Sequence, residues 1–223
     1  MTDERDTGTG YDPHLASSAP EHDWSAAASI LHVVLRPAGA SGTPMASIDR
    51  EQLALEADHT HAEPLTDPGP AGLTVAYVLR TSGFDILVNA DHLLGWNIEP
   101  DVIRTTAFEN LRTWSKDAPW TDELSGGRRL LASDSGAGGD AARILLPEVR
   151  AYLSAELNEG ARVLVGVPHR DLLVAAALRP EDPEFLGQFT AFVADAADAD
   201  QPIDPRTFEL AGGELVPMEL APA

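Results

Sequence analysis

The sequence predicts an α+β fold with mostly antiparallel sheets and helices packed on one face, and three observations carry that expectation. Short β-branched or apolar runs bounded by Gly, Pro and Ser recur along the chain. Two pairs of these runs are joined by only a few turn residues, a spacing that permits antiparallel hairpins and forbids a parallel crossover. Each pair is followed by a segment with apolar residues at helical spacing, opened by an acid-Pro-acid triplet.

In chain order, residues 1–25 are rich in Asp, Glu, Gly, Thr and Pro, and they read as a disordered acidic tail because they have little apolar surface to offset ordering entropy. The fold is expected to begin near Ser29. "SILHVVLR" (29–36) is a strand, "SIDREQLALEAD" (47–58) a weak helix and "HTHAEPLTDPGPAG" (59–72) a proline-rich loop. "LTVAYVLR" (73–80) and "FDILVNA" (84–90) flank "TSG" as a hairpin. "EPDVIRTTAFENLRTW" (99–114) aligns Ile103, Ala107, Leu111 and Trp114 on one helical stripe after Pro100.

The second half repeats this grammar. "RRLLAS" (128–133) is a strand and "DSGAGG" (134–139) a turn. Asp140 looks like an N-cap, but Pro147 inside that helix would cost roughly 3 kcal/mol, so the main helix is expected to begin at Pro147 with 141–146 as a separate turn or kinked segment. "ARVLVGV" (161–167) and "DLLVAAAL" (171–178) form another hairpin, and 182–196 is a helix with Asp182 as N-cap and Pro183 at N1. "ELVPMEL" (214–220) is an edge strand, since Pro217 has no amide hydrogen to give. The chain thus divides into halves at 26–120 and 121–223. "DILVNA" from Asp85 aligns with "DLLVAA" from Asp171, and the openers Glu99-Pro100-Asp101 and Asp182-Pro183-Glu184 follow. Chance similarity and duplication of a β-α-β-β-α unit are both open on these residues.

Charge narrows the function classes. The chain has 36 acidic and 15 basic residues, a formal net charge of −21 in 223 residues. A field of that sign repels nucleic-acid phosphates and anionic lipid surfaces, so neither is an expected partner. Zero cysteines remove disulfides, thiolate zinc sites and cysteine nucleophiles together. No apolar run reaches about 18 residues and no secretory signal is visible, which points to a cytoplasmic protein without a membrane span.

"VPHRD" (167–171) contains the His-Arg-Asp triplet of kinase catalytic loops, but Asp171 is followed by apolar "LLVAAAL" with no residue to hold magnesium, and no glycine-rich loop precedes a strand lysine. Two readings stand: a hairpin turn shaped by Pro168 and Asp171, or a polar constellation of His169, Arg170 and Asp171 in a cleft. "SGAGGD" (135–140) lacks the Gly-Lys-Ser/Thr ending of a phosphate loop, and Asp140 would oppose a phosphate. His59, His61 and Glu63 alternate as zinc ligands would on a strand, yet they lie in a proline-rich loop. No metal and no cofactor is expected, and the Gly-x-Ser-x-Gly and His-Glu-x-x-His signatures are absent.

"AFENL" (107–111), "GGDAARILLPEV" (138–149), "VPHRDLL" (167–173) and "FELAGGELV" (208–216), in that order, resemble the bacterial YtpQ-like family, defined by a domain of unknown function. The resemblance covers roughly residues 76–218. It implies a cytosolic bacterial protein and supplies no reaction. Gly139 stands where the family has tyrosine before its aspartate, and His169 stands where it has a small polar residue. Arg170, Asp171 and Asp140 are therefore the better candidates for a shared role.

Two functions follow. The first is a non-catalytic interaction protein whose acidic surface binds a basic protein. The second is a binder of, or enzyme for, a small anionic ligand, with Asp140, Arg170 and Asp171 around one cleft, His169 as a further candidate ligand-binding residue, and arginine gripping a carboxylate or phosphate through two hydrogen bonds.

Overall fold

The computed structural model describes residues 19–55, 59–81 and 84–218; positions 1–18 of the expected tail lie outside the described residues. In chain order the elements are α1 (Trp24–Ala28), β1 (Leu31–Arg36), β2 (Thr43–Pro44), α2 (Arg50–Leu55), β3 (Leu65–Pro68), β4 (Thr74–Arg80) and β5 (Asp85–Leu87). There follow α3 (Ala90–Trp96), α4 (Pro100–Asp117), β6 (Thr121–Ser125), β7 (Arg128–Ser133) and a 3-10 turn at Ala141–Leu145. The chain closes with α5 (Pro147–Leu157), β8 (Arg162–Gly166), β9 (Leu173–Leu178), α6 (Glu184–Ala196), β10 (Thr207–Ala211) and β11 (Glu214–Pro217).

Two sheets result, as an α+β chain requires. The first has the order β1-β4-β3-β2, with β5 also paired to β4, and its short β2–β3 ladder is parallel. The second, β11-β10-β8-β9-β7-β6, is antiparallel throughout. Both expected hairpins form: Arg80 pairs with Asp85, and Gly166 with Val174.

Strand alternation sorts side chains between layers. Val33 and Leu35 of β1 and Val75, Tyr77 and Leu79 of β4 enter the main core, where they meet Ile103, Ala107 and Leu111 of α4. Val34, Ala76 and Val78 form a separate small cluster on the opposite face. Helices therefore cover one face of the first sheet, as expected. The second sheet departs from that expectation because it is covered on both faces: Val163, Val165 and Ala175 face α5 and the main core, while Leu164, Val174 and Ala176 pack on Phe189 and Val193 of α6. Every residue of β9 is buried, which is why its sequence is one apolar run without alternation. Burying a side chain such as Phe189 contributes about 1.5–3 kcal/mol.

The boundary at Pro147 falls where the proline argument put it, and Ala141–Leu145 is a 3-10 turn. Other expectations are corrected. The chain is helical from Trp24, before Ser29, because Trp24 packs 5.5 Å from Trp96 and the Trp96 indole donates to Pro20 O. Helix α6 starts at Glu184 with Pro183 in the N-cap position, and the Asp182 carboxylate pairs with Arg128 across the fold. The segment 84–90 is strand only to Leu87; Asn89 then caps α3 in a reciprocal box with His92.

The halves share the order strand, helix, hairpin, helix, but their pairings differ. β1 lies beside β4, the first strand of its hairpin, whereas β7 lies beside β9, the second strand of its own. Among the described residues no helix is long and apolar enough to cross a membrane.

Candidate functional site

The turn between β8 and β9 is pinned from two sides. Val167 O and Pro168 O accept from Asp204 and Ile203, and the Arg170 amide donates to Gln201 O. Arg170 O in turn accepts from Ala141 N at 3.1 Å, which sets the turn beside the start of the 3-10 segment. So held, Arg170 reaches over Gly138 toward the first sheet. Gly138 has φ of 75°, and a Cβ there would stand 3.1 Å from the guanidinium, so the position needs glycine on both counts.

Across the gap, Arg170 Nη1 donates to Asp85 Oδ2 at 2.5 Å. Asp85 is also the cross-strand partner of Arg80, whose Nε lies 4.0 Å from Asp85 Oδ1. Arg80 donates Nη1 to Ala137 O at 2.5 Å and Nη2 to Gly138 O at 2.8 Å. The glycine-rich loop thus turns carbonyls, not amides, toward the site, a polarity that holds a cation and would repel phosphate. Asp171 completes the group, with Oδ1 3.9 Å from Arg170 Nε. Arg80 Nε, Arg170 Nε and Asp171 Oδ1 are three of the five buried side-chain atoms without a hydrogen-bond partner among the described residues. All three are shielded from solvent and stand near opposite charge, Arg80 Nε 4.0 Å from Asp85 Oδ1 and Arg170 Nε 3.9 Å from Asp171 Oδ1, so they belong to the protein's own charge cluster.

These groups stand at one end of a cavity of about 790 Å³ between the outer face of the first sheet and the loops around 136–137, 170 and 201–202. Its lining includes Val34 and Val78 from the outer-face cluster, together with Phe84, Leu87, Pro37 and Pro202. Arg36, Arg80 and Arg170 line it against one carboxylate, Asp85. That concentrates cations in a chain whose overall charge is −21. Burial lowers the pKa of Arg80, an effect partly offset by Asp85. On the same sheet face, His32 is pushed down to about 4, chiefly by burial and then by the charge of Arg80, with Asp85 opposing; the ring is neutral at pH 7. His32 lines a second cavity of about 460 Å³ between β1 and α4, with Asn110, Trp114 and Ser135.

The four residues expected at the site are separated by the structure. Arg170 enters the cavity and Asp171 supports it from beside. His169 Nδ1 accepts from the Asp171 amide at 3.3 Å, so this histidine shapes the turn. Asp140 is fully buried and turned away. Its carboxylate accepts from Ser133 Oγ at 2.6 Å, Ser135 Oγ at 2.8 Å and Ser135 N at 3.1 Å, and it does not cap the 3-10 turn. Ser133 Oγ also accepts from Arg143 Nη1 at 2.7 Å, and Arg143, 2% exposed, stacks 4.0 Å from the Trp120 ring. Asp140 belongs to this internal ionic framework, because a buried carboxylate and a buried guanidinium need each other's field and full hydrogen bonding.

Arg80, Asp85 and Arg36 were not among the residues singled out as a site. A signal existed for two of them: opposite charges flanking "TSG" are a cross-strand pair in any hairpin. His61 donates its amide to both oxygens of Asp91 at 3.1 Å, and among the described residues no group of three or more His, Asp or Glu side chains is placed to hold a metal.

The fold and site define a class: an α+β protein of two antiparallel-rich sheets with an arginine-lined cavity between them. Comparison with protein-family models, curated proteins and solved structures finds no match for this chain.

Proposed function

We propose that this protein is a non-catalytic binder of a small anionic ligand, held in the cavity between the first sheet and the loops of the second half. The carrying observation is that Arg36, Arg80 and Arg170 line one cavity of about 790 Å³ against the single carboxylate of Asp85. That volume lies within the range of about 300–1,000 Å³ usual for small-molecule sites. Inside a partly dry cleft, guanidinium–anion hydrogen bonds are stronger than at the surface. Among the described residues, no nucleophile with an adjacent base lines the cavity.

Thermal unfolding with benzoate, hexanoate and inorganic phosphate tests the reading. An anion at a hundredfold excess over its Kd should raise Tm by about 5–10 °C, and the rise should vanish in a folded Arg170→Gln variant. Unfolding curves insensitive to all three anions would remove the proposal.

The acidic surface favours a second reading, a basic protein partner. Its sign is capture that weakens steeply between low and physiological salt; salt-independent capture would count against it. A cytoplasmic setting and kinship with the YtpQ-like family accompany both readings, and they rest on the quoted sequence motifs alone.

A further inference from the structure

We infer that the ligand of this cavity is an amphiphilic monoanion, a carboxylic acid with an extended apolar tail; this rests on the anion-binding reading above. Three features lead there. The first is the floor: Val34 and Val78 are buried beside the cavity, and Leu87 and Phe84 line it while 39% and 67% exposed. Leu87 is the register partner of Val78, so these side chains form one apolar surface next to the Arg80–Asp85 pair.

The second is charge. Asp85 and Asp171 stand against Arg80 and Arg170 at the polar end, so a dianionic phosphate would meet two carboxylates at close range. A single negative charge meets about half of that repulsion while still pairing with the Arg80 and Arg170 side chains that line the cavity. Arg36 lines the far end and pairs with no carboxylate among the described residues; its Nη1 donates to Ser41 O.

The third is length. Arg80 and Ala76, the register partner of Val34, are four residues apart on β4, about 13 Å at the rise of an extended strand. A head group at Arg80 and Arg170 would lay a medium-length chain over Val78 and Leu87 toward Val34.

Isothermal titration of the full chain with acetate, hexanoate and decanoate, beside decanol and decyl phosphate, tests this. Affinity should rise with tail length, by up to about fourfold per buried methylene. Decanol and decyl phosphate should both bind more weakly than decanoate. Leu87→Ser, at an exposed position that should fold, should weaken decanoate several-fold and leave acetate unchanged. Equal affinity for acetate and decanoate, or tighter binding of decyl phosphate, would overturn the inference and leave the anion-binding reading standing, whereas tighter binding of decanol would remove both. Failure of every carboxylate and of decyl phosphate would remove both.

Discussion

Arg170 Nη1 and Asp85 Oδ2 lie 2.5 Å apart across 85 residues of sequence, and their ion pair ties the turn before β9 to the strand β5 of the other sheet. Both side chains are largely covered, 26% and 19% exposed, so the pair is shielded from water and salt more than a surface bridge. It is at once an edge of the cavity and a clasp between the halves.

Breaking the clasp should cost stability through the partner left behind. Asp85→Asn and Arg170→Gln should each lower the unfolding free energy by about 1–2 kcal/mol. The double variant should lose less than the sum, by about 1 kcal/mol of coupling in urea titrations. Strict additivity would show that the two charges do not interact.

Asp140 is expected to matter for folding and not for ligand. Removing it leaves Arg143 buried with its pKa already lowered by burial and its supporting carboxylate gone. Asp140→Ala should cost about 3–5 kcal/mol by chemical denaturation. A variant that unfolds within 1 kcal/mol of the parent would contradict the framework role.

His32 gives a pH dependence with a defined sign. Its folded pKa is about 4 against an ordinary 6.5, so the unfolded chain binds the extra proton first as pH falls. The stability contribution of neutral His32 is complete above pH 6.5, declines below it and is gone once pH falls through about 4. His92, also lowered chiefly by burial, acts in the same direction. His32→Leu should flatten the change in urea midpoint between pH 7 and pH 4.5, and an unchanged slope would assign the effect elsewhere.

Gly166 is where β8 meets α6. A Cβ at Gly166 would stand 2.5 Å from Val193 Cγ2 and 3.1 Å from Val174 Cγ1. Gly166→Ala should destabilise by about 1–3 kcal/mol in thermal unfolding, and adding Val193→Ala should recover part of that loss.

Much of the framework was legible in the chain. Pro100 and Pro147 mark helix starts because proline tolerates the first turn and not the interior, and both marks hold. The hairpins were legible because so few residues separate their strands. β6 was missed since Thr121–Ser125 is exposed throughout and polar except at Leu124, an edge strand specified by its neighbour β7. β3 and α3 were missed for kindred reasons, proline in the strand and a cap made by Asn89 and His92 instead of the usual Ser/Thr with Glu/Gln; β10 was missed as well.

At the site, Arg170 could be named from sequence and Asp140 could not be placed. A turn argument fixes the backbone around Pro168, but an aspartate before a helical segment looks the same whether it caps, binds or is buried against Ser133 and Ser135.

By itself the sequence determined the strongly patterned elements, the hairpins, the α+β class and the acidic field, because these follow from periodicity, turn chemistry and charge. Only the tertiary structure decided which charges meet. Asp85 finds Arg170 and Asp140 finds Ser133, because sheet packing and the pinned 167–171 turn set distances that no local rule encodes.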